Sequence, residues 1–143
     1  MAIYSLSMNG TVAGSGVPSW EAKPSAANEP AIMEIGVING AATACTYGFG
    51  RGGAVSTQTG GVLVLAEDEG RPTGLTSCAI AWSVAPTVPA NYFRRMFLPA
   101  TIGAGCIFTF PRGIVLAQGG AGLVQWNIAA SSASTAIHCV CDE

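Results

Sequence analysis

Along most of this chain, apolar side chains alternate with small or polar ones over five to seven residues, and then a glycine, proline or polar cluster intervenes. Successive side chains on a strand point to opposite faces, so alternation of this kind predicts half-buried strands. The runs predict strands near residues 2–7, 32–38, 44–50, 61–66, 77–83, 92–98, 105–110, 113–118, 123–128 and 136–141. The same alternation assigns inward-facing sets. They are Met33, Ile35 and Val37; Cys78, Ile80 and Trp82; Cys106, Phe108 and Phe110; Val124, Trp126 and Ile128; and Ile137, Cys139 and Cys141. Small residues opposite large ones, such as Ala79 and Ala81 beside Trp82, suit two sheets that interlock face to face. No stretch holds a helical period for more than about two turns. Only 85–92 and 129–134 leave room for a short helix. Regularly spaced short strands separated by turn signals predict a single all-β domain over 1–143, an antiparallel β-sandwich of jelly-roll-like character.

Residues 8–31 interrupt this pattern. MNGTVAGSGVPSWEAKPSAANEPA is rich in Gly, Ser, Ala, Pro and Asn, which reads as an extended N-terminal arm or a long loop. Trp20 lies inside it and must bury its ring somewhere, either against this domain or against a neighbour that the arm embraces.

Composition changes the picture in one respect. Charged residues make up 10% of the 143 positions, where a soluble domain has about 25%. Yet no apolar run reaches the ~18–20 residues of a membrane helix, and the opening MAIYSLSMNG lacks the basic and long apolar regions of a signal peptide. A surface so short of charge is poorly protected against association, which points to a face covered by copies of the chain or by a partner. The six basic residues are Lys23, Arg51, Arg71, Arg94, Arg95 and Arg112, and against eight acids they leave a net charge of −2. They form no basic run beyond Arg94-Arg95, so no nucleic-acid footprint is expected.

The chemistry-bearing residues are few. His138 is the only histidine, so a histidine-based triad would have to use it, and it has no local nucleophile motif. The five cysteines, Cys45, Cys78, Cys106, Cys139 and Cys141, follow no disulfide framework or C-x-x-C spacing and read as buried reduced thiols of a cytoplasmically assembled protein. Glu67-Asp68-Glu69 lacks the spacing of a calcium loop and reads as a solvated strand end, with a salt bridge to Arg71 or to a neighbouring subunit as the intermediate reading. The glycines of IGAG and QGGAG lead into strands rather than helices, which suits hairpin turns and not a phosphate loop. No enzyme activity, metal or cofactor is expected. Trp82, Trp126, Tyr92 and Phe93 are the aromatic candidates for a ligand face, with the two tryptophans assigned to the core.

The Arg94-Arg95 pair lies inside NYFRRMFL, among aromatic and aliphatic residues. Alternation places Tyr92, Arg94, Met96 and Leu98 on one face and Phe93, Arg95 and Phe97 on the other. One arginine therefore sits at the margin of the core, and the other shares an outward face with apolar neighbours. Arginine pairs bidentately with carboxylates and stacks on aromatic rings, so Trp20, Tyr92, Phe93, Arg94 and Arg95 are the predicted interface residues.

Over residues 28–143 the order NEPAIMEIGVING, TACTYGFGR, VLAEDEG, AWSVAPTVPANYFRRMFLPATIGAG and IFTFPRGIVLAQGGAGLVQWNIA, with a terminal CDE, resembles small structural proteins encoded among the head genes of tailed bacteriophages. LPATIGAG, the Phe110-Pro111-Arg112-Gly113 turn and GGAGLVQWN carry most of the likeness. The resemblance implies a virion protein, foremost a capsid decoration (cement) protein. It would bind the major capsid protein on the outer capsid surface as a homotrimer, after assembly in the host cytoplasm, with no nucleic-acid or membrane partner. A tail, neck or fibre component, or a carbohydrate-binding jelly-roll module displayed on the particle, is the alternative.

Overall fold

The computed structural model describes residues 2–11, 16–129 and 134–143. All its regular elements are strands, thirteen in number among the described residues, and every pairing is antiparallel. They are β1 (Ile3–Thr11), β2 (Val17–Lys23), β3 (Ala31–Asn39), β4 (Cys45–Arg51), β5 (Thr57–Gln58), β6 (Val62–Leu63), β7 (Leu65–Ala66), β8 (Ser77–Ala79), β9 (Trp82–Val84), β10 (Arg94–Leu98), β11 (Gly105–Val115), β12 (Leu123–Ala129) and β13 (Ser134–Asp142). One sheet, A, runs β11-β3-β13-β1-β7. A second, B, runs β10-β4-β12-β2-β8-β6, and β5 with β9 forms a small third sheet. The chain is an antiparallel β-sandwich.

The core lies between sheets A and B. Sheet A contributes Tyr4, Ile32, Ile35, Val37, Phe110, Ile137, Cys139 and Cys141, with Leu6, Met8, Cys106 and Phe108 packed partly buried against them. Sheet B answers with Trp20, Ala22, Cys45, Tyr47, Phe49, Cys78, Met96, Leu98 and Leu123. Phe49 meets Phe108 edge to face, with ring centroids 6.2 Å apart. Apolar area withdrawn from water drives this packing at roughly 25 cal/mol per Å².

Two of the inward sets shift, and bulges explain the first. Cys141 faces Ile32 and the preceding Val140 faces Glu34, so Met33 is an extra residue on β3. Ile32 takes the inward place expected for Met33. On the other side of β3, the register of β11 breaks between Thr109 and Ile114, and Gly113 there adopts φ +66°. The two strands expected at 105–110 and 113–118 are thus one bulged strand, bent where the glycine reaches a left-handed conformation without a Cβ penalty.

The set Val124, Trp126 and Ile128 is the second. Trp126 and Val124 are fully buried, but they lie opposite Gly48 and Gly50, on the outer face of sheet B. Leu123, Gln125 and Asn127 take the inner positions, opposite Ala22, Trp20 and Tyr47. Burial of Trp126 on an outer face requires a cover. The segment 85–92, one of the two places left for a helix, is the cover, and it is an extended coil. It runs over a glycine stripe: a Cβ on Gly48 would stand 2.5 Å from Tyr92, one on Gly50 2.8 Å from Pro89, and one on Gly52 3.1 Å from Pro86. The other helix candidate, 129–134, falls largely outside the described residues.

The expected arm or loop at 8–31 is corrected over most of its length; 24–30 is a loop, and 12–15 lie outside the described residues. Residues 8–11 complete β1, and 17–23 form β2, an inner strand of sheet B held between β12 and β8. Its Ser and Pro content hid it from propensity reasoning. Pro18 is tolerated because it sits at a register break facing Trp126, where a backbone donor is dispensable. The set Cys78, Ile80 and Trp82 also fails as one strand. β8 ends at Ala79, Ile80 is exposed, and Trp82 begins β9.

Candidate functional site

The arginine pair sits on β10, which pairs only with β4 and so ends sheet B with a free edge. β11 ends sheet A in the same way. Arg94 faces inward at the margin of the core, opposite Phe49, and its guanidinium stands 5.6 Å from the centroid of the Phe110 ring on β11. That contact joins the two free edges into one side of the sandwich. Arg51 adds to it: its Nη2 donates to Val115 O at 2.6 Å, and its guanidinium lies 5.6 Å from the Phe93 centroid. Arg112 is exposed on the bulge of β11.

Arg95 points outward, opposite Gly48, and lies 4.9 Å from the centroid of Tyr92. Tyr92 in turn sits over Gly48. The residues before β10 do not continue its alternation: Tyr92 joins the face of Arg95 rather than that of Arg94, and Phe93 pairs with Arg51. The division of the two arginines between margin and outer face holds, while the two aromatics exchange faces because the strand begins only at Arg94. Apolar side chains are exposed on both edge strands and in the loop after β10: Phe97 shares the outer face of sheet B with Arg95, while Ile107, opposite Gly36, is on the outer face of sheet A. Phe97 is 81% exposed, Ile102 in the following loop 68%, and Ile107 on β11 62%.

The structure thus brings together Tyr92, Phe93, Arg94 and Arg95 on one edge. Trp20 is not with them. It is 1% exposed and faces the inter-sheet core from β2, so the ring is buried by its own domain and leaves nothing for a neighbour.

A second constellation escaped sequence reasoning. Glu21 is fully buried, on the outer face of sheet B opposite Val124 and Ala79. The Ser56 hydroxyl donates between its two carboxyl oxygens at 2.8 and 2.7 Å. Trp82 Nε1 donates to Oε2 at 2.7 Å, and Gln58 Nε2 donates to the same oxygen at 3.2 Å. Gln58 also accepts from Ser77 Oγ at 2.6 Å, and Lys23 Nζ donates to Ser56 O. Every partner donates, so the carboxyl group serves as an acceptor only. Its donors come from 56–58 and 82, the segments that form the β5–β9 sheet. The arrangement clamps that small sheet onto sheet B.

His138 lies on the outer face of sheet A. Its ring leans over Gly36, where a Cβ would stand 1.9 Å from Cε1, and Nε2 meets Glu34 Oε1 at 2.9 Å. By register His138 stands between Gly36 on β3 and Ser7 on β1, and its ring nitrogen engages Glu34 and not the Ser7 hydroxyl. The thiols are all free. A hydrogen bond with Cys78, and then burial, push the Cys139 thiol well up, while burial first of all raises Cys141 to about 12. Thiols held protonated are poor nucleophiles and poor ligands. Among the described residues, no group of three or more His, Cys, Asp or Glu side chains is placed to hold a metal ion. Asp68 pairs with Arg71 at 3.2 Å, both well exposed. No helix among the described residues is long and apolar enough to cross a membrane. No family model, curated protein or solved structure matches the chain.

Proposed function

We propose that this chain is a structural protein of a tailed-bacteriophage virion, a capsid decoration protein that binds the major capsid protein as a homotrimer on the outer surface of the particle. The β10/β11 edge carries the reading. Two unpaired strand edges lie on this side of the sandwich, with four arginines on or beside them and Phe97, Ile102 and Ile107 exposed, in a chain that is otherwise poor in charge. Bare, apolar strand edges are what soluble proteins avoid unless something covers them. The described side chains offer packing and stacking surfaces, and no aligned nucleophile and base.

The strand order supports a jelly-roll reading in particular. Set side by side, β11-β3-β13-β1 and β10-β4-β12-β2 are two four-stranded sheets, and the chain changes sheet at each step among β1, β2, β3 and β4, and again among β10, β11, β12 and β13. Two interlocked Greek keys give this alternation. A compact sandwich of this kind spreads several modest contacts over a lattice, and a multivalent oligomer gains avidity from them without any one being strong.

The experiment is addition of the purified protein to capsids that lack it, followed by imaging of the particles. Density repeated over the capsid lattice is the expected result. Density confined to the portal or tail moves the protein to the neck or tail, and failure to join particles at all overturns the reading.

A further inference from the structure

The side of the sandwich opposite the arginines has a contrary character. Sheet B ends there in β6 and sheet A in β7, and Val64 alone separates the two strands in sequence. Their side chains are turned out: Val62 and Leu63 are exposed, and Leu65 is 57% exposed. The loop that follows carries Glu67, Asp68 and Glu69, all exposed, with Glu67 N donating to Ile3 O and Arg71 offsetting only Asp68. One flank therefore presents apolar side chains and Arg51, Arg94, Arg95 and Arg112. The other presents apolar side chains beside three carboxylates.

From this complementarity we infer that copies of the chain associate head to tail, the basic β10/β11 edge of one seated on the acidic β6/β7 edge of the next. The inference deepens the oligomer of the reading above and rests on it for ring closure, since a heterologous contact closes a ring or grows a filament. One point favours this contact over a two-fold one, and two more show that the flanks are not neutralised within one molecule. A two-fold contact of the basic edge would set Arg94, Arg95 and Arg112 against their own copies. Four strand spacings across sheet A put the flanks about 20 Å apart, beyond the ~8 Å screening length, so they do not neutralise one another within one molecule. The carboxylate nearest the basic edge by register, Glu34, is already engaged by His138.

Charge reversal with complementation tests it. Arg94→Glu/Arg95→Glu/Arg112→Glu leaves Arg51 against three carboxylates and makes both flanks acidic, and Glu67→Arg/Asp68→Arg/Glu69→Arg makes both basic. All six residues are exposed, Arg94 at the margin of the core, and circular dichroism and urea midpoints establish that each variant folds. In sedimentation velocity the wild type is expected to form a discrete oligomer that weakens with added salt. Each variant alone is expected to sediment as monomer, and an equimolar mixture to associate in alternating order into heteromers of even number, because a three-membered ring would bring two like flanks together. A wild-type monomer at every concentration overturns the inference. So does an oligomer indifferent to reversal of the acidic flank, or folded variants that fail to complement. Particle binding measured on the same variants separates the two readings. A wild-type oligomer that is lost on charge reversal but never joins capsids retains this inference and removes the decoration role, whereas wild-type monomers that coat capsids do the reverse.

Discussion

Glu21 gives the sharpest test of how the sandwich holds its outer layer. Replacement by alanine removes the acceptor for Ser56, Gln58 and Trp82. Hydrogen bonds to a charged group contribute about 1.5–3 kcal/mol each, so three donors bring a gross loss of roughly 5–9 kcal/mol. Two corrections reduce it. The carboxylate no longer has to be desolvated, a penalty of several kcal/mol in a buried site. Trp82 and Gln58 are half-buried and regain water, while Ser56 is 2% exposed and is left unpaired. The expected net loss is about 3–5 kcal/mol, the range for removing one partner from a buried polar cluster. Glu21→Gln keeps the shape and one acceptor oxygen and is expected to cost about 1–2 kcal/mol. Urea denaturation followed by circular dichroism gives the global figure. Hydrogen exchange at Thr59, whose amide donates to Ala81 O across the small sheet, reports its detachment. Protection at Thr59 should fall before that of the β3 and β13 amides. A Glu21→Leu protein as stable as wild type, with Thr59 still protected, would refute the clamp: packing alone would then hold β5 and β9.

Other expectations follow from the same packing. Gly48→Val drives a side chain into Tyr92 and Ile128, so the 85–92 cover should lift, stability should fall by about 1–3 kcal/mol, and the fluorescence of Trp126 should shift to the red. Gln125 lies in the inner row between Trp20 and Phe49, and its side-chain amide has no hydrogen-bond partner among the described residues; Gln125→Met should raise stability by about 1 kcal/mol in urea melts. Raised thiol pKa values at Cys139 and Cys141 mean that the unfolded chain loses these protons first as pH climbs above 9. Stability should therefore be flat below pH 9 and then decline toward pH 12, by up to about 1.4 kcal/mol per pH unit for each thiol, and Cys139→Ala should flatten the slope in pH-resolved melts.

The sandwich was legible wherever alternation was clean. Ile137, Cys139 and Cys141 are buried together as their spacing requires, and the ladder of β10 against β4 follows from RRMFL. The pattern misled where pairing context overrides it. Met33 alternates perfectly with Ile35, but a bulge turns it aside, and no property of MEIGV announces that. Trp126 and Val124 looked like inner-face residues because they are large and apolar; that they are buried from outside depends on Gly48, Gly50 and the coil 85–92, 32–41 residues away in sequence. β2 was hidden by its Pro and Ser residues, and with it the placing of Trp20 and Glu21. The arginine edge was legible because two charges in an apolar run conflict with burial on both faces. The acidic flank was read only as solvated loop, since its opposition to the arginines exists only once the sheets are ordered.

The position of β13 has a consequence in time. It lies between β3 and β1 in sheet A, yet it is synthesised after every strand it touches. A nascent chain that has reached β12 holds two halves of a sheet with a gap at their centre, exposing the inner edges of β1 and β3. Such long-range pairing folds slowly and leaves strand edges open to mispairing while it waits. Sheet A is therefore completed only after β13 has been made, and the flanks proposed to join neighbouring copies become fixed relative to one another at that same late moment. Registration of the interior and fixing of the two flanks are thus a single event.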